Sequence, residues 1–181
     1  MSNIIAFDIG VHHFAYAVLS IHEKEWDISH MNVEDLAVNQ KCSSIVLEQN
    51  FWVRFHSFLR SLHEILKTCS FILIERQMSF SNAFNYKANQ INSQLFAHMI
   101  IYFPEKKIIN YSATEKTKQF QKQFKKKIDR KKWAIQFTKE LLLEKNDETA
   151  IEWLNSFPKQ DDICDCILMV LSFAKKNSLL Y

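Results

Sequence analysis

A single α/β domain, built as a mixed sheet with helices on both faces, is the architecture this sequence predicts. Three observations carry the expectation. Three short β-rich runs come first in the chain. Later runs alternate with amphipathic stretches at helical spacing. Enough apolar surface is present, 48% of 181 residues with 15 Phe, 5 Tyr and 4 Trp, for one core spanning residues 1–181. Strands joined by short turns pair antiparallel as a meander, whereas strands separated by helices pair in parallel.

Residues 3–8 (NIIAFD) and 14–21 (FAYAVLSI) are β-rich, and the sole glycine, Gly10, lies in the turn that lets them form a hairpin. Residues 25–33 supply a third strand. Phe51, Phe55, Phe58, Leu59, Leu62, Ile65 and Leu66 recur at helical spacing and mark one wide apolar face. Residues 71–75 (FILIE) read as a buried strand. Residues 85–103 are helical through Ile91, Leu95 and Met99, and Pro104 stops them. A short strand at 107–111 (KIINY) follows. Residues 128–143 resume helical spacing through Trp133, Phe137 and Leu141. The last helix, 162–176, turns Ile163, Ile167, Val170, Leu171 and Ala174 inward. The resulting order is βββ-α-β-α-β-α-α.

Composition removes several function classes. Phosphate-cradling loops need several glycines for close backbone approach, and one Gly cannot supply them, so no nucleotide cofactor is expected. Read as the first loop of an actin-like ATPase, Asp8-Ile9-Gly10 lacks its later partner. Apolar runs are short and interrupted by charge, so no membrane partner is expected. Asp8 sits inside the first apolar run and no basic segment precedes it, which argues against a secretory leader and for a reducing, intracellular setting. The four cysteines, Cys42, Cys69, Cys164 and Cys166, read as free thiols rather than a disulfide framework or zinc site.

Net charge is only +3, but its distribution is uneven. Between Pro104 and Lys139 stand twelve basic residues and three acids, giving +9 there and −6 over the remainder. Lys118, Lys122, Lys125, Lys126 and Lys127, interleaved with Phe120 and Phe124, suit contact with a phosphate backbone. The alternative is a solvated surface without a ligand.

Four acids stand where a bare carboxylate is unfavourable. Asp8 ends the run Ile4-Ile5-Ala6-Phe7, and Glu75 ends Phe71-Ile72-Leu73-Ile74, with Arg76 available to Glu75 as a purely structural partner. Asp162 and Asp165 lie about 60° apart on one helical face at ~100° per residue. Asp161 suits the cap of that helix, although acids in a first turn are ordinary dipole chemistry. Oxygen ligands without a His or Cys cluster favour Mg²⁺, with Mn²⁺ able to substitute, and two such ions suit in-line attack on a phosphodiester.

The runs Ile5-Ala6-Phe7-Asp8-Ile9-Gly10, Ile72-Leu73-Ile74-Glu75-Arg76-Gln77, Asp129-Arg130-Lys131-Lys132 and Asp161-Asp162-Ile163-Cys164-Asp165, in this order, resemble the RuvC-type Holliday junction resolvases and in particular their poxvirus branch. The resemblance spans nearly the whole chain. It implies an RNase H-like fold, a homodimer and Mg²⁺-dependent cutting of four-way DNA junctions. By resemblance Asp8, Glu75, Asp162 and Asp165 are the metal-binding acids. Lys132 corresponds to the lysine that opens the helix beside the site, with Lys131 as the competing assignment. Ser112-Ala113-Thr114-Glu115-Lys116 is similar to the family's lysine motif after a strand, except that Glu115 replaces an apolar residue. Within the basic segment 112–132, Lys116, Arg130 and Lys131 join the five lysines above as expected DNA contacts. An RNase H-like nuclease acting on RNA–DNA hybrids, or a catalytically silent binding module, would use the same scaffold.

Three further features have an ordinary reading beside a functional one. His12 and His13 follow Asp8 and could serve as acid or base, or be exposed turn residues. Cys164 and Cys166 flank Asp165, but hard cations prefer oxygen. Phe80, Phe84 and Tyr86 could stack on opened bases, or serve core or dimer packing. The 85–103 helix, with Ile91, Leu95, Met99 and Tyr102 on one stripe, is the candidate dimer face unless that stripe covers the sheet.

Overall fold

A computed structural model describes residues 2–38, 47–77 and 85–180. Its elements run β1 (Ser2–Asp8), β2 (Phe14–His22), β3 (Glu25–Glu34), α1 (Gln49–Ser61), α2 (His63–Thr68), β4 (Cys69–Glu75), α3 (Tyr86–Tyr102), β5 (Lys107–Tyr111), α4 (Ala113–Gln119), α5 (Lys127–Glu144), α6 (Glu148–Asn155) and α7 (Asp161–Lys176). They build one five-stranded sheet in the order β3-β2-β1-β4-β5. β1, β2 and β3 pair antiparallel, and β4 pairs parallel with both β1 and β5. The expected mixed sheet is therefore present, with its meander on one side and its helix-connected strands on the other.

Alternation along the strands assigns the two faces. Ile4, Ala6, Ala17, Leu19 and Leu73 point to one side and pack on α7; Ile5, Phe7, Phe14, Val18, Ile72 and Ile74 point to the other, against Phe51, Phe55 and Leu59 of α1 and Ile91, Leu95 and Met99 of α3. Ile91, Leu95 and Met99 of the α3 stripe thus cover the sheet rather than forming a dimer face, whereas Tyr102 does not join them. The outward residues of α3 near its C-terminal end, Ile100, Ile101 and Tyr102, are exposed instead. Tyr86 is exposed at the start of α3. Phe80, Phe84 and Cys42 lie outside the described residues.

Helix α7 departs from the one-faced pattern expected of it. Every residue from Asp161 to Ala174 is buried, because α7 lies between β1 and β2 below and α4 and α5 above. A helix covered on all sides must be apolar all round, as Ile163 to Ala174 largely is. α5 approaches α7 through the fully buried Ala134, Thr138 and Leu142, while Trp133 and Phe137 pack with Phe120 at its margin.

Two helices go beyond the sequence expectation. α4 (ATEKTKQ) has no apolar period, and its only buried residue is Lys116; its start is fixed by Ser112, whose hydroxyl accepts from the Thr114 N–H. α6 anchors through the buried Ala150 and Leu154, with Ile151 packed beside them, and is capped by Asp147. The expected long helix over 51–66 is interrupted at Leu62, which separates α1 from α2. Gly10 has a specific steric reason. A Cβ there would lie 2.5 Å from the His13 carbonyl oxygen, so only glycine lets the β1–β2 connection close this tightly.

Candidate active site

The sheet delivers the first two carboxylates. In the parallel β1–β4 ladder Phe7 lies opposite Ile74, so Asp8 and Glu75 emerge side by side at one edge. Helix α7 points its N-terminus at that edge and brings Asp162 and Asp165 to it. Asp8, Glu75, Asp162 and Asp165 line one cleft of about 380 Å³ with the Ile9–His13 turn, Gln77, Asn85, Lys127, Arg130, Lys131 and Lys159. The four expected acids are therefore gathered. Burial, followed by repulsion from the Glu75, Asp165 and Asp162 carboxylates, pushes the Asp8 carboxyl well above its ordinary range. Burial and the nearby charges of Asp8 and Asp165 push the Cys166 thiol up in the same way, which leaves it a neutral packing group.

Basic side chains hold the acids of α7. Lys116 is fully buried, and its Nζ lies 2.6 Å from Asp165 Oδ1. This corrects the surface role expected of Lys116: an ammonium without exposure cannot meet a DNA backbone, and its charge is tolerable inside only with Asp165 beside it. Lys131 donates to Asp161 Oδ2 and approaches Asp162 Oδ1 at 3.7 Å. Burial would push Asp161 up, but the Lys131 ammonium prevails and holds it below its usual value. Asp161 is thus a first-turn ion-pair partner of Lys131; the cap position belongs to Gln160, without a side-chain bond.

Of the two α5 lysines, Lys131 is the one that lines the cleft. Ala134 faces α7, and at ~100° per residue a side chain three positions earlier shares that face while one two positions earlier is turned away. Lys132 is accordingly exposed and absent from the cleft wall, which corrects its expected catalytic placement. Lys118, Lys122, Lys125, Lys126 and Lys127 are exposed as expected, and Lys127 and Arg130 reach the cleft. Arg130 Nε is buried and without a partner among the described residues. His12 and His13 also line the cleft, and His12 Nδ1 lies 3.2 Å from Asp35. Lys159, whose Nζ contacts Asp162 Oδ2, is a site residue that sequence reasoning misses; its placement three residues before Asp162 is the available signal.

The donor set suits a hard divalent cation. All four cleft acids offer oxygen, and their mutual repulsion at Asp8 marks an excess of negative charge that a cation would relieve. Among the described residues, no three acidic, His or Cys side chains are gathered tightly enough to enclose an ion; lysine ammoniums lie on Asp161, Asp162 and Asp165 instead.

This architecture is the RNase H-like fold in the form found in Holliday junction resolvases. The fowlpox virus resolvase, solved in complex with Holliday junction DNA, superposes with a TM-score of 0.64 at 21% identity over 99% of each chain. The yeast mitochondrial Holliday junction resolvase Ydc2 gives 0.64 at 18% identity, covering 98% of this chain and 81% of its own. Thermus thermophilus RuvC gives 0.62 at 15% identity, over 98% and 96%. In sequence, protein 97L of Invertebrate iridescent virus 3, itself uncharacterized, is 31% identical over 108 residues, which are 59% of this chain. The match spans about half, 49%, of that relative's length. No protein-family model matches the chain.

Proposed function

We propose that residues 1–181 act as one metal-dependent endonuclease domain that resolves four-way DNA junctions by paired phosphodiester hydrolysis. The observation that carries this reading is the meeting of Asp8 and Glu75, from adjacent parallel strands, with Asp162 and Asp165 from α7 in a cleft rimmed by Lys127, Arg130 and Lys131. The resolvase structures that share the fold, two of them containing junction DNA, support the choice of substrate.

Asp8, Glu75, Asp162 and Asp165 would hold Mg²⁺ ions, which when bound supply an activated water and positive charge at the scissile phosphate. Lys116 keeps Asp165 oriented from the protein interior. Lys131 restrains Asp161 and Asp162 and brings positive charge to the place where the phosphate gains negative charge. Arg130, with its free Nε, and Lys127 hold the strand at the cleft mouth. Lys118, Lys122, Lys125 and Lys126 carry the adjoining arm through backbone contacts that ignore sequence.

One such site cuts one strand, and resolution needs two opposed nicks, so a two-fold homodimer is the working unit. The exposed Ile100, Ile101 and Tyr102 on α3 offer it an apolar contact. The test is nicking of a synthetic four-way junction beside a matched linear duplex and an RNA–DNA hybrid, with Mg²⁺ and with EDTA. Paired, Mg²⁺-dependent cuts in the junction are expected. Preference for the hybrid, or a strictly monomeric active species, would overturn the resolvase reading in favour of an RNase H-like nuclease.

A further inference from the structure

Lys159 lies between α6 and α7, ahead of the first turn that carries the acids. Its ammonium rests on Asp162 Oδ2, while Lys131 approaches Oδ1 of the same carboxylate. Both oxygens of Asp162 are thereby covered, and the carboxylate itself is almost fully buried. The two cations are moored differently. Lys131 projects from a long helix and is also bonded to Asp161. Lys159 stands on non-helical backbone, its side chain is 36% exposed, and Asp162 is its only ion-pair partner among the described residues.

We propose that Lys159 is a positioning residue with two stations: on Asp162 while the acidic site lacks a divalent cation, and on a phosphate of bound DNA once the site is loaded. The inference rests on reading the four acids as a metal site. An ammonium and a divalent ion compete for the same oxygen, and the less firmly moored ammonium yields. A lysine is a point charge on a flexible stem, so release costs it little orientation. It remains in the cleft beside Lys127 and Arg130, where the next available negative charge is a substrate phosphate. Cation loading and DNA binding then favour each other, and by linkage each strengthens the other to the same degree.

The test uses the full chain carrying Lys159→Ala, with Lys159→Arg as the control that keeps the charge. Mn²⁺ affinity is measured by electron paramagnetic resonance on metal-stripped protein without DNA, and junction affinity by fluorescence anisotropy in EDTA and in Ca²⁺. Removing one partly screened ion pair should tighten Mn²⁺ by roughly fivefold. Junction affinity in EDTA should be unchanged, because Lys159 is then held by Asp162, while the gain conferred by Ca²⁺ should shrink by a similar factor. Lys159→Arg should behave nearly as the parent. Unchanged or weaker Mn²⁺ binding in Lys159→Ala, or equal loss of junction affinity in EDTA and Ca²⁺, overturns the proposal and leaves Lys159 a tether or a simple phosphate contact. A parent protein with no Mn²⁺ site sensitive to Asp8→Asn is a different result: it removes the metal reading itself, and this proposal with it.

Discussion

Replacing Lys116 by methionine keeps most of the volume of the side chain and deletes its charge, leaving the Asp165 carboxylate buried without its partner. Lys116 has no exposed surface and Asp165 is 4% exposed, with 2.6 Å between the charged atoms, so water cannot compensate. Breaking a buried pair from one side costs about 3–5 kcal/mol, a large part of the roughly 5–15 kcal/mol typical of a whole domain. At roughly 2–4 °C per kcal/mol for a chain of this size, the melting temperature should fall by about 6–20 °C. Lys116→Met/Asp165→Asn removes both charges and should recover most of the loss, which makes the coupling large and the single losses strongly non-additive. The assay is urea unfolding followed by tryptophan fluorescence and circular dichroism in EDTA, so that added metal does not enter the comparison. The double variant should be folded and still inactive on junctions. A Lys116→Met cost below about 1 kcal/mol, or a double variant as unstable as the sum of its parts, would refute a buried, interdependent pair.

The two α5 lysines should separate in single-turnover cleavage, with Lys131→Ala slower by about 10²-fold and Lys132→Ala within about threefold of the parent; the reverse order would return the catalytic role to Lys132. Changing Lys118, Lys122, Lys125 and Lys126 together to Gln should weaken junction binding whatever the sequence and reduce the slope of log K against log salt by about 0.9 for each phosphate that is no longer neutralised. An unchanged slope would make these residues a solvated surface. His98 is buried between α1 and α3, and burial followed by His56, His63 and Arg60 lowers it to about 4 from an ordinary 6.5. Its depressed value means that the unfolded chain takes up the proton first, so stability present above pH 6.5 declines as pH falls toward about 4. At about 1.4 kcal/mol per pH unit, His98→Phe should remove on the order of 3 kcal/mol of acid lability, read from unfolding curves between about pH 7 and pH 4. Parallel pH profiles for parent and variant would contradict the assignment.

The central strands β1 and β4 are legible because each is short, apolar and closed by a polar residue, and the acids at their ends are legible for the same reason: Asp8 and Glu75 are polar residues terminating buried runs. Their adjacency is not legible in the same way, because it depends on β4 pairing with the β1 edge of the meander rather than with the β3 edge. The phase of α5 is harder. Trp133, Phe137 and Leu141 are its largest apolar residues and suggest the inner face, yet they occupy the margin, and the tightest approach to α7 is made by Ala134, Thr138 and Leu142. Small residues mark where helices come closest, and a reading weighted by bulk misses them; the resemblance that points to Lys132 carries no information on this phase, which instead turns Lys131 toward the cleft. Lys116 is obscured differently. A lysine in a polar seven-residue helix carries every sign of a surface residue, and only the buried Asp165 opposite it, 49 positions away, makes its burial intelligible.

The complete enclosure of α7 has a consequence for how the molecule loosens. Fourteen consecutive buried residues, roofed by α4 and α5 and floored by the sheet, place this helix among the last parts to open to solvent, whereas the exposed lysine stretch from 122 to 129 has few buried contacts to hold it. Amide exchange should therefore divide the protein into a slow centre, bearing Asp162 and Asp165, and a fast rim, bearing the lysines proposed to meet DNA. On that proposal the rim can unfold and refold around strands of differing shape while the carboxylates stay in register, which puts adaptability and chemical precision in different layers of one fold.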